Sequence, residues 1–232
     1  MAFLEVNLDP FIKFEKFSRI ALPNIYNIIG LLEVNNVHGI SFSFDMVDDI
    51  ELFLDTARSM TESRINVRME PDKENVDRVV QYKPDVITFV ENEGEGKSVF
   101  LPSKKVKDVV TEYSQREDIG FVVRLQPDAR MLKYAYQYGF DEVELVSDAL
   151  AEEETRIGYY RQLDQIAHVA RIARKNGMRI SISGGLNRRI VNSLIDLVEF
   201  EFISIDDSLL AEAVFSGLPS VIKDYIFLVE KR

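Results

Sequence analysis

Residues 64–70 read Arg-Ile-Asn-Val-Arg-Met-Glu, with apolar Ile65, Val67 and Met69 alternating with polar Asn66, Arg68 and Glu70. Successive side chains of a β-strand point to opposite faces, so this stretch is a strand with one apolar and one wet face. The pattern recurs along the chain. Leu4, Val6 and Leu8 alternate with Glu5, Asn7 and Asp9, and Ile40, Phe42 and Phe44 with Ser41, Ser43 and Asp45. Phe121, Val123 and Leu125 flank Arg124 and Gln126, Glu144 stands alone, and Ser181, Ser183, Ser204 and Asp206 complete the set. Helical segments follow nearly every run and must cover the apolar faces, which leaves the wet faces pointing at one another.

Eight strand-like segments, each short and rich in Val, Ile or Phe, occur in order: 3–9, 38–45, 64–70, 85–91, 119–126, 142–147, 179–183 and 200–206. Amphipathic stretches lie between them, among them 47–60, 74–82, 129–138 and 160–176. Pro127 and Asp128 open one helix, and Lys175, Asn176 and Gly177 close the longest. A strictly alternating βα series of eight units predicts an α/β fold, a closed parallel eight-stranded (β/α)8 TIM barrel with a polar lumen, as one domain over residues 1–232.

A chain of 232 residues with 46% hydrophobic content is long enough for one substantial core. Cysteine is absent, which removes disulfides, thiolate nucleophiles and zinc–thiolate sites. A net charge of -11 argues against nucleic acid or an anionic membrane as partner, because both require a basic footprint. No apolar run of membrane-spanning length occurs and residues 1–10 lack the order of a signal peptide, so a cytoplasmic location is expected. Two loops stand out, 92–103 and the acidic 148–158. Both follow strand ends, where barrel enzymes build lids and substrate loops, although a solvated loop leading into a helix is the preferred reading.

Several segments in order resemble the pyridoxine 5'-phosphate synthase family. They are Val6-Asn7-Leu8-Asp9, His38-Gly39-Ile40-Ser41, the run from Lys83 to Val90, Gly184-Gly185-Leu186-Asn187 and the run from Ser208 to Leu218. The resemblance implies a TIM barrel, oligomer formation and a transferase- or lyase-type synthase of vitamin B6 biosynthesis. That synthase condenses deoxyxylulose phosphate with an aminoacetone phosphate. The departures from the family pattern fall on the chemistry. Pro10, Ser43, Asp45 and Gly184 stand where the family places histidines or an arginine, Arg68 replaces a glutamate, and Asp206-Asp207 replaces a Gly-His pair. Asn7, Asp9 and Glu144 are retained.

Of the two histidines, His38 belongs at the start of strand two and His168 inside a long helix, so neither is expected to reach the C-terminal face. An imidazole-based proton shuttle has no residues to carry it. The expected strands contain no lysine, which removes a Schiff base from the barrel interior. Ser183, Gly184 and Gly185 could offer backbone N–H groups to a phosphate. Asp206 and Asp207 would repel that anion, and Asp207 reads better as a helix cap.

The lumen acids pose a sharper question. Glu5, Asp9, Asp45, Glu70, Glu144 and Asp206 face only Arg68 and Arg124, an expected excess of four negative charges. A divalent cation (Mg, Ca or Mn) on Asp9, Asp45 and Glu70, protonated carboxyls, or water from the open top would each answer it. An arginine–carboxylate network with water is the preferred answer. Crowding also makes Glu70 and Glu144 the candidate general acid and base. The expected ligand site comprises Asn7, Asp9, Ser43, Asp45, Arg68, Arg124, Ser183, Gly184, Gly185, Asp206 and Asp207.

Three functions compete at this stage. One is a descendant of the synthase family that has lost the condensation and binds a small polar, phosphorylated or cationic molecule at the barrel mouth. Another is an active synthase with a carboxylate-based site. The third is a catalytically silent scaffold, a homo-oligomer in which the apolar last helix could form a subunit interface, although closing the barrel's outer layer is the preferred role for that helix.

Overall fold

The computed structural model describes residues 2–17, 24–91, 98–99, 101–113 and 116–230. Eight parallel strands close into a barrel in sequence order, β1 (Phe3–Asn7), β2 (Gly39–Ser43), β3 (Arg64–Met69), β4 (Val86–Phe89), β5 (Gly120–Leu125), β6 (Glu142–Val146), β7 (Arg179–Ser183) and β8 (Phe202–Ile205). The barrel is shut by β1 against β8, with Phe3 beside Phe202 and Glu5 beside Ser204. The expected strands are all present, trimmed by a residue or two at most ends. One parity of each strand packs outward: Leu4, Val6, Ile40, Phe42, Val67, Ile87, Leu145, Ile182 and Ile205 are buried in one apolar layer beneath the helices. Burial of this layer is the main apolar driving force for the fold.

The helices are α1 (Asp9–Phe17), α2 (Ile25–Val34), α3 (Ile50–Met60), α4 (Lys73–Val79), α5 (Lys104–Tyr113) and α6 (Ala129–Tyr138), then α7 (Asp148–Ala151), α8 (Arg156–Lys175), α9 (Arg188–Ile195), α10 (Asp207–Ser216) and α11 (Leu218–Glu230). Side-chain oxygens of Asn24, Asp49, Asp72, Asp128, Thr155 and Asn187 cap α2, α3, α4, α6, α8 and α9 by accepting early helical N–H groups. Thr155 thus turns the acidic 148–158 loop into the start of α8. Residues 92–97 and 100 of the other long loop lie outside the described residues, while Val99 and Leu101 are buried in the core.

The last helix closes the outer layer. Val221, Ile222, Tyr225 and Val229 of α11 are buried, and the Ala2 N–H donates to the Val229 carbonyl. Phe227 on the same helix is exposed. Among the described residues no helix is long and apolar enough to cross a membrane.

Candidate functional site at the barrel mouth

The other parity of the strands meets inside the barrel. Glu5 on β1 accepts from Asn66 and Arg68 on β3, at 3.2 and 3.3 Å. The same Arg68 Nη2 donates across the axis to Glu144 on β6 at 2.9 Å and to Ser204 on β8 at 3.0 Å. Below them, Arg64 lies 3.6 Å from Glu5 and 3.3 Å from Glu142, with its guanidinium 4.0 Å from the centre of the Phe202 ring. Above them, Arg124 approaches Glu144 to 3.2 Å and Ser183 donates to Glu144 at 2.7 Å. Thr88 and Ser181 tie Asn66 and Glu142 into the same network.

This arrangement corrects the expected charge excess. Glu5, Glu142 and Glu144 are matched by Arg64, Arg68 and Arg124, a balanced ion-pair column as in the preferred sequence reading, and the excess falls instead on Asp9 and Asp206 at the mouth and on Asp45 and Glu70 outside the lumen. Burial alone would raise the Glu5 carboxyl, but Arg64 and Arg68, with hydrogen bonds from Asn66 and Ser41, outweigh it and hold it below the usual carboxylate range. Arg68 is likewise penalised by burial, yet its carboxylate partners raise its proton affinity.

Two candidates fall outside the lumen because their strands end early. β2 stops at Ser43 and the chain turns into a 3-10 helix over Phe44–Met46, leaving Asp45 exposed. β3 stops at Met69 ahead of Pro71, and Glu70 sits half exposed with Lys105 at 3.8 Å. Asp9, Asp45 and Glu70 therefore do not converge as cation ligands, and among the described residues no group of three or more His, Asp or Glu side chains is placed to hold a metal ion. Neither proposed proton carrier lines the mouth: Glu70 is on the rim beside α5, and Glu144 lies below, held by Arg68, Arg124 and Ser183.

Above the column lies a cavity of about 210 Å³, bounded by Asn7, Asp9, Ser43, Arg68, Arg124, Asp206 and Asp207 of the expected set. Pro10, Lys13, Val90 and Asp148 complete its wall. Asp9, the first residue of α1, accepts from the backbone N–H and the hydroxyl of Ser43 at 2.8 and 2.5 Å. Asn7 accepts the Asp9 N–H and fixes the turn between them. Burial, reinforced by Asp207 and Asp148, pushes the Asp206 carboxyl above its ordinary range. Burial also raises Asp148 against the pull of Arg124, with Glu152 and Glu144 adding to the rise.

The glycine turn after β7 is less open to an anion than its sequence suggests. Gly184 and Gly185 have φ of 96° and 61°, a conformation that glycine adopts without strain. The Asp148 carboxylate lies 2.6 Å from where a Cβ on Gly184 would stand, and Ala151 lies 2.4 Å from the equivalent point on Gly185. Helix α7 is thus packed onto the turn, with Ser147 donating to the Ser183 and Gly184 carbonyls. A phosphate there would meet a carboxylate. Asp207 opens α10 without acting as a side-chain cap, and Asp206, at the cap position, makes no capping hydrogen bond either.

Both histidines are remote from the mouth. His38 Nδ1 accepts the Leu4 N–H at the base of the barrel, with Glu230 3.5 Å from Nε2, and His168 is exposed on α8. Sequence reasoning missed Arg64 and Glu142, although they share parity with Arg68 and Glu144. It also missed Lys13 and Asp148, which follow their strands and carry no alternation signal.

Comparison with known proteins agrees with this architecture. The structure superposes on orotidine 5'-monophosphate decarboxylase from Methanocaldococcus jannaschii with a TM-score of 0.67 at 10% identity, covering 100% of both chains. It superposes on N-(5'-phosphoribosyl)anthranilate isomerase from Pyrococcus furiosus with a TM-score of 0.63 at 12% identity, again over 100% of both. At these identities the likeness shows the barrel fold alone. In sequence, the chain is 28% identical to a pyridoxine 5'-phosphate synthase of Pelobacter propionicus over 76% of each protein. It is 26% identical to that of Geotalea daltonii over 99% of each. The family model for the pyridoxal phosphate biosynthesis protein PdxJ matches residues 46–231, from the turn after β2 through α11. With the barrel, the order of its motifs and that match in accord, the chain belongs to the PdxJ family.

Proposed function

We propose that this chain is a cytoplasmic PdxJ-family barrel that binds a small polar ligand at its mouth and has lost the ring-forming condensation of deoxyxylulose phosphate with an aminoacetone phosphate. The observation that carries this reading is the chemistry of the mouth. Its ionisable wall consists of carboxyls, two guanidinium groups and Lys13, while both imidazoles of the chain lie elsewhere. A multistep condensation needs groups that give and take protons near neutral pH, which imidazole does without perturbation. The carboxylate beside Gly184 further disfavours a phosphate at the turn after β7. The test is direct: purified protein supplied with both phosphate substrates should form no pyridoxine phosphate. Turnover at ordinary enzyme levels refutes the reading.

A second reading, an active synthase using carboxyl groups, is favoured by a specific observation. Asp148 and Asp206 line the mouth and hold their protons more tightly than ordinary aspartates, as general acids near neutrality must. The family match over most of the chain supports the same reading. It requires that the chain rescue growth of a pyridoxine auxotroph and that Asp206→Asn abolish the rescue. Soluble expression without rescue removes it.

A further inference from the structure

The mouth cavity is chemically two-sided. At its floor, Arg68 and Arg124 are almost wholly buried, with 4% and 9% of their side chains exposed. Each keeps a buried Nε without a hydrogen-bond partner. Arg124 Nε is 3.2 Å from Glu144, but the alignment makes this an ion pair rather than a hydrogen bond. Buried donors of this kind are ordinarily satisfied, and an orphaned one calls for an acceptor. Around the rim the imbalance is reversed. Asp9, Asp148, Asp206 and Asp207 line the cavity against one lysine, Lys13, because Arg68 is engaged by Glu5 and Glu144 below and Arg124 is shared between Glu144 and Asp148, the latter at 3.8 Å.

Resting on the reading that the mouth is a ligand site, we infer that its ligand is a small zwitterion whose carboxylate meets Arg68 and Arg124 and whose ammonium group meets Asp148 and Asp206. Simpler ligands each leave one side unmet. A lone amine or metal ion neutralises the rim but sets a cation against the Arg68 and Arg124 guanidinium groups at the floor. A lone carboxylate or phosphate satisfies the floor but must pass and face four rim carboxyls. A molecule with both charges answers each, and the cavity of about 210 Å³ has the size for it, the space of roughly seven water molecules. The raised proton affinities of Asp148 and Asp206 have the same origin, burial without an adequate cation, and an ammonium group beside them reverses that shift.

The experiment is calorimetric titration of the full chain at pH 7.5 and low salt with four probes: 4-aminobutanoate, butanoate, butylamine and inorganic phosphate. Glycine and β-alanine vary the charge spacing. At least one zwitterion should bind about tenfold or more tightly than both butanoate and butylamine, a difference of about 1.4 kcal/mol. That advantage should shrink below about threefold in Arg124→Gln and, separately, in Asp206→Asn. The second variant alters only a rim residue, so the test survives if the first fails to fold. Binding should also weaken as the pH is lowered and the rim aspartates take up protons. Butanoate or butylamine matching the zwitterions, or an advantage untouched by Asp206→Asn, overturns the inference. Saturable phosphate binding without zwitterion binding overturns it while leaving a ligand site at the mouth. Silence from all probes overturns both.

Discussion

Replacing Arg68 by methionine strikes the one side chain that links β1, β3, β6 and β8 across the barrel axis. The substitution keeps most of the volume and removes the charge. Arg68 donates to Glu5, Glu144 and Ser204, and the two carboxylates that lose it are 1% and 2% exposed. Removing one partner of a buried ion pair costs about 3–5 kcal/mol, because the remaining charge is left desolvated. Arg64 still reaches Glu5 and Arg124 still reaches Glu144, which places the expected loss toward the lower end. For a chain of this size each kcal/mol lowers the thermal midpoint by about 2–4 °C, so a loss of about 3–4 kcal/mol means an expected drop of roughly 6–16 °C. Circular dichroism during heating and urea unfolding at pH 8 and pH 5 gives the measurement. Glu5 is held below its ordinary range in the wild type, so its stabilisation is complete above that range and is lost only as the pH falls through the lowered value. Without Arg68 its proton affinity rises, and the deficit of the variant should therefore be larger at pH 8 than at pH 5. Adding Glu5→Gln should recover part of the loss. A deficit below about 1 kcal/mol refutes the claim that the ion pairs bear on stability, since ordinary surface changes fall within about 0.5 kcal/mol, and a deficit equal at both pH values refutes the claim that Glu5 takes up a proton once Arg68 is gone.

Two further outcomes follow from the rim. Asp206→Asn should stabilise the protein by about 0.5–2 kcal/mol at pH 8. Its folded-state proton affinity is raised, so ionisation costs stability above the raised value and nothing below the unfolded one; the gain should vanish in acid, as denaturant unfolding across pH can show. Gly185→Ala should cost about 1–3 kcal/mol by overpacking, since the new methyl falls 2.4 Å from Ala151 while the backbone holds φ at 61°. Urea unfolding that leaves the midpoint unchanged removes the argument that α7 is locked onto this turn.

The barrel was legible because its signal is periodic. Ile65, Val67 and Met69 against Asn66 and Arg68 specify both the strand and which side faces the axis, and six other segments repeat that pattern in whole or in part, β4 being apolar apart from Thr88. The same periodicity misled where it was carried past the strand ends. Asp45 and Glu70 keep the parity of Ser43 and Arg68, but β2 and β3 have ended before them, and parity has no meaning in a turn. Asp9 and Asp206 also lie beyond their strands, yet both reach the mouth because α1 and α10 begin there. Asp148 was hidden for the opposite reason. Its place is set by the packing of α7 on Gly184 and Gly185, a tertiary contact between β6 and β7 that no local pattern encodes. The charge balance was misjudged by carrying parity past the strand ends, since Asp45 and Glu70 fall outside the lumen and Asp9 and Asp206 lie at its mouth, whereas the overlooked Arg64 and Glu142 cancel.

The balanced column inside the barrel has a consequence for how such a protein can change. Its charges, from Arg64 up to Glu144, balance one another beneath the opening and draw on the aspartates above chiefly through Arg124, 3.8 Å from Asp148. The rim can therefore exchange side chains, and with them its preferred guest, while the staves of the barrel stay braced from within. A lineage built this way can drift away from its ancestral chemistry without first passing through an unstable scaffold.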